Sequence, residues 1–145
     1  MNRWTTLAIG ALLPVAVFAQ TAAQPESTFE AHVLTNAEFD ALQANPEHLL
    51  IIDVRRPDEI TSIGGFAVYL NIQPADVEAH VDSIPRDRTI VTVSNHANRA
   101  GRVADALVRH GFKVAGALGA QTYEAAGGTL TRIVPRAAAA TSARR

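Results

Sequence analysis

Residues 94–99, Ser-Asn-His-Ala-Asn-Arg, bring a hydroxyl, an imidazole and a guanidinium within six positions. Two chemistries would use that set. Successive backbone N–H groups curling ahead of a helix N-terminus make an anion-binding concavity that the helix dipole reinforces. Small or amide side chains at Ser94, Asn95, Ala97 and Asn98 suit such a curl. Arg99 and Arg102 would supply charge, joined by Arg55 or Arg56 from a neighbouring strand end. The expected occupant is a sulfate-like, phosphate-like or carboxylate group. The second chemistry makes Ser94 a nucleophile with His96 as its base, but a working arrangement needs a third group that orients the base. Nothing in the sequence designates one. A plainer reading remains open: Ser94 or Asn95 caps the helix, and the arginines are a solvated face.

These residues need elements to hold them. LLIIDV, residues 49–54, and RTIVTVS, residues 88–94, are continuous apolar runs rich in β-branched residues, the pattern of strands buried on both faces. RAGRVADALVRHGF follows as a helix with Val103 and Leu107 inward, an Asp105 to Arg109 pair outward and Gly111 as its stop. LTNAEFDALQAN opens with Thr35 and Glu38 in capping-box spacing, with Phe39 and Leu42 on one face. QPADVEAHVDSIP reads as a helix led by Pro74, with Val77 and Val81 four apart. A strand near FKVAGA and a helix through AQTYEAAGG complete the series. Strands alternating with helices predict a parallel sheet covered on both faces. In such sheets ligands sit beyond the carboxyl ends of the strands, where RRPDE and SNHANR both emerge.

Composition narrows the function. The 145 residues, 48% hydrophobic and 19% charged, make room for one domain with modest extensions. A formal charge of −1 offers no general basic field, so nucleic acid is not an expected partner. Cysteine is absent, which removes disulfides, thiolate metal sites and thiol-based catalysis. His32, His48, His80, His96 and His110 are dispersed without ligand spacing, so neither a metal nor a cofactor is expected.

The first 19 residues carry one base, Arg3, then an apolar run from Leu7 to Phe18 and a small residue, Ala19. That is the form of a secretory signal peptide, shorter than the roughly 20 apolar residues of a spanning helix. The expected product is periplasmic or secreted, with no membrane association once the leader is cleaved. Residues 20–32 read as a flexible lead-in and 135–145 as a disordered tail with a short basic end. The domain proper spans 33–134.

Four segments then resemble a known family in order and spacing: LLIIDVRRPDE, GGFAVYLNIQ, RTIVTVSNHANRAGRVADALVRHGF and YEAAGG. They follow the pattern of rhodanese-like (sulfurtransferase) domains across 33–134. The resemblance implies a three-layer α/β fold around a central parallel sheet. It implies that Asp53 and Arg55 close the first strand near the site and that 94–99 is the active-site loop. Active members begin that loop with a cysteine whose persulfide is cradled by loop amides, and end it with an arginine. Arg99 matches the arginine, but Ser94 stands where the cysteine would be. Ala97 replaces the usual loop glycine, Ala100 a common serine, and Ala67-Val68-Tyr69 a Pro-Gly-Ala, while Asn71 is kept. Tyr123 stands for a frequent tryptophan, with Leu118-Gly119 for the Gly-Gly before it.

One substitution decides the sulfur chemistry. A thiol with a pKa of about 8.5 can ionise near neutrality, whereas a serine hydroxyl is far less acidic and would form an S–O bond in place of a persulfide. The expectation is an exported rhodanese-like module without sulfurtransferase activity, binding a small oxyanion or a periplasmic protein. The alternative is an enzyme of altered chemistry, sulfurtransferase-like or a hydrolase, working through Ser94, His96 and Arg99.

Overall fold

The computed structural model describes residues 28–132. The expected signal peptide, most of the lead-in and the tail lie outside the described residues. Four strands form one sheet: β1 (Leu49–Asp53), β2 (Leu70–Asn71), β3 (Thr89–Ser94) and β4 (Val114–Gly119). Their order is β2-β1-β3-β4 and all pairings are parallel. Among the described residues five α-helices accompany them: α1 (Asn36–Gln43), α2 (Pro57–Ile63), α3 (Val77–His80), α4 (Asn98–Arg109) and α5 (Ala120–Ala125).

Side chains alternate across a strand, so a run of apolar residues supplies both faces. Leu49, Ile51, Val91 and Val93 face a core with Phe39 of α1, Tyr123 of α5 and Phe66. Ile52, Val54 and Ile90 face a second core with Val77 of α3 and Val103 and Leu107 of α4. Three layers result, as expected. In the first core the Phe39 ring meets Phe66 edge-on at 5.0 Å and Tyr123 at 5.3 Å.

The local signals hold where the pattern was strong. Thr35 and Glu38 form the capping box, with Glu38 N–H donating to Thr35 Oγ1 at 3.3 Å and Thr35 N–H to Glu38 Oε2 at 2.8 Å. Gly111 follows α4 with φ +80°, the left-handed conformation glycine adopts freely. Elsewhere the structure differs. The segment 74–83 is a helix broken into 3-10, α and 3-10 turns (Pro74–Asp76, Val77–His80, Val81–Ser83). RRPDE leads into α2, with Pro57 at its first position, and the two-residue β2 has too few side chains for a period to register.

Two corrections concern the start of the packed structure and α4. Asp105 does not pair with Arg109; its carboxylate accepts the N–H groups of Glu30 at 2.9 Å and Ala31 at 2.8 Å. Residues 28–32 are accordingly docked, not free. The Phe29 ring occupies the place of a Cβ on Gly101, His32 O accepts from Ala117 N, and Leu34 N donates to Ala117 O at 2.9 Å. This strap lies along the outer edge of β4 through a parallel bridge from Val33 to Ala117.

Candidate functional site

The central strands β1 and β3 end side by side, and Val54 N–H continues their ladder by donating to Val93 O at 2.9 Å. Just beyond, the two chain segments singled out in the sequence meet. Arg55 doubles back onto Asp53: Nε donates to Oδ1 at 2.9 Å and Nη2 to Oδ2 at 2.6 Å, with both side chains fully buried. Asn71 Nδ2 donates to the carbonyls of Asp53 and Arg55, each at 2.7 Å, and Gln73 Nε2 adds a bond to Arg55 O at 2.8 Å. Arg55 is thus a structural brace under the site. Its Nη1 is buried with no hydrogen-bond partner among the described residues.

Ser94 is 1% exposed. Its Oγ accepts the N–H of Ala100 at 3.1 Å and leans on the His96 carbonyl at 3.5 Å. Two residues earlier on the same face of β3, Thr92 Oγ1 donates to Ala100 O at 2.9 Å. The Ala100 peptide groups are therefore held on both sides by β3, and Ala100 is itself fully buried where the helix approaches the sheet. Ala100 is the third residue of α4, so Ser94 satisfies one of the N–H groups that a helix start leaves without an intrahelical partner. The N-cap position itself is Ala97, which makes no side-chain cap bond, so Ser94 serves the helix start from three residues upstream of it. The imidazole of His96 is exposed and makes no hydrogen bond to Ser94 or to any other group among the described residues.

Arg99 finds a partner the sequence did not nominate. Its Nη1 donates to Glu59 Oε2 at 2.9 Å and its Nη2 to Oε1 at 2.7 Å, a bidentate pair from α4 to α2. Asn95 Nδ2 donates to the same Oε1 at 2.7 Å, and Arg56 N–H to Oε2 at 2.9 Å. Four donors converge on one carboxylate. The Arg99 guanidinium is the main cause holding Glu59 down to about 2 from its ordinary value of 4.5, against a smaller opposing effect of burial. The same pair raises Arg99 above its usual value. Glu59 was visible only as the last letter of RRPDE; the signal that marks it is a carboxylate two residues after a helix-opening proline.

The remaining candidates lie outward. His96, Asn98 and Arg102 are exposed, Ala97 is half-buried, and Arg102 has no ion pair among the described residues. The N–H groups of His96, Ala97 and Arg99 donate to no protein group among the described residues, whereas Asn98 N–H turns back to His96 O and Gly101 N–H bonds Ala97 O at 2.6 Å. So Ser94, Asn95 and Arg99 are drawn together around the start of α4, Asp53 and Arg55 are sealed beneath, and His96 and Arg102 stand apart. No group of three or more His, Asp or Glu side chains arranged to hold a metal occurs among the described residues.

This arrangement of sheet, two-faced core and strand–loop–helix is the rhodanese-like fold. A rhodanese-related protein from Thermoplasma volcanium superposes with a TM-score of 0.60 at 20% identity, over 72% of this chain and all of its own. A Rhodopseudomonas palustris protein described as a possible tyrosine phosphatase gives 0.61 at 23% identity, over 69% of this chain and 84% of that one. A rhodanese-like domain protein from Staphylococcus aureus gives 0.53 at 18% identity, over 60% and 84%. No family model matches the sequence, and no curated protein does either.

Proposed function

We propose that this chain is an exported binding module of rhodanese-like fold that has no sulfurtransferase activity. Its ligand is an oxyanion, free in solution or carried on an exported partner protein, received by the 94–99 loop. The observation that carries the first part is Ser94: a buried hydroxyl, committed to the Ala100 N–H, stands at the loop's start in a chain without cysteine. The anion reading is supported by three N–H groups, at the mouth of a 12-residue helix, that have no protein acceptor among the described residues, and by Arg102 one turn along. Glu59 limits the affinity, because its carboxylate already engages Arg99. Export is supported by the sequence of residues 1–19 alone.

The test has two arms. Purified protein should produce no thiocyanate from thiosulfate and cyanide, and sustained turnover would overturn the non-catalytic reading. Sulfate or phosphate should raise the melting temperature, since a ligand confined to the folded state at ten times its Kd adds about 1.4 kcal/mol. No shift with either anion would remove the oxyanion from the proposal. Ser94→Cys should restore sulfur transfer only in part, because Ala97 and Ala100 also depart from the active loop's pattern; full recovery would show that the loop keeps a catalytic geometry.

A further inference from the structure

The open edge of β1 holds a cavity. β2 pairs with β1 only at Ile52 and Asp53, so the outer edge of Leu49–Ile51 faces no strand. The segment leading into β2 crosses this gap and leaves a cavity of about 240 Å³, lined by Pro46, Leu49, Phe66, Val68, Leu70 and Arg88 among others. Its walls are mainly apolar, yet it is open enough for two large apolar side chains at its rim to meet water: Val68 is 82% exposed and Leu70 40%. Arg88 is the one charged residue of the lining and makes no hydrogen bond or ion pair among the described residues. Most of the lining lies towards the amino ends of β1 and β3, away from Ser94 and Glu59, while Leu70, opposite Ile52, reaches towards the carboxyl end of β1.

Size and charge together specify an occupant. Drug-sized ligands use cavities of roughly 300–1,000 Å³, so this one takes something smaller. Apolar walls reward an alkyl or aryl body, and an arginine in the lining with no partner among the described residues rewards a carboxylate, which a guanidinium binds through two N–H groups at once. The geometry points to a binding site for a small monocarboxylic acid with an apolar body, seated between the amino end of β1 and residues 66–70 with its carboxylate on Arg88.

The experiment uses the full chain with phenylacetate and hexanoate as probes and their primary amides as neutral counterparts. Both acids should shift the backbone amide resonances of 49–51 and 66–70, with the amides binding at least tenfold more weakly. Arg88→Gln should erase the preference for acid over amide, and Val68→Ser, at an exposed position, should weaken both while leaving the fold intact. Equal binding of acid and amide, shifts confined to 94–99, no shift at all, or shifts that track protein concentration as in self-association would each overturn the assignment. Sulfate and phosphate serve as the separating control: they should leave 49–51 and 66–70 unmoved, so failure at this site and failure at the loop register independently.

Discussion

Ser94 occupies the position from which a nucleophile would act and does a different job there. Ser94→Ala should leave the Ala100 N–H buried without an acceptor and lower stability by about 1–2 kcal/mol, read from chemical denaturation. Glu59 is one of two carboxylates that shape the acid limb. Its carboxyl is held at about 2 in the folded chain against an ordinary 4.5, so its contribution is complete above about pH 5 and is lost as pH falls from 4.5 towards 2. Glu38, held near 2 chiefly by the Thr35 N–H and then its hydroxyl, titrates in the same window. Glu59→Gln should lessen the fall of stability between pH 5 and 2, leaving the part due to Glu38, and strengthen binding of sulfate, because the carboxylate that competes for Arg99 is gone. Ser94 and Arg99 were legible because strand, loop and helix are contiguous in sequence. Glu59 was not, since its partner lies forty positions away and only the fold joins them.

Among elements, α4 carries the greatest load. Its inward face and its stop were readable from the spacing of Val103 and Leu107 and from Gly111. The fate of Asp105 was not readable, because the i, i+4 rule sees only one helix surface and the actual donors come from the strap at Glu30 and Ala31. Asp105→Ala should speed hydrogen exchange at those two amides by roughly tenfold or more, the equivalent of about 1.4 kcal/mol, while exchange in β3 stays unchanged. α2 and β2 escaped for opposite reasons. α2 hides a helix start inside a charged turn, and β2 is defined by its partner, β1, more than by its own two residues.

At the scale of the molecule, two cores on the faces of one sheet make the continuous apolar strands necessary, and that was the clearest message in the sequence. Phe39 anchors the first core through its contacts with Phe66 and Tyr123, and Phe39→Ala should cost about 3–5 kcal/mol in unfolding free energy, seen as a large drop in melting temperature. The strap has a consequence of another kind. Through its bridge at Ala117 it covers part of the outer edge of β4, and among the described residues the opposite margin, at β2, pairs with no further strand of the sheet. Lateral growth by strand addition requires two free margins per copy. Among the described residues the strap obstructs one of those two margins at Ala117, so continuous edge-to-edge stacking would meet a barrier there.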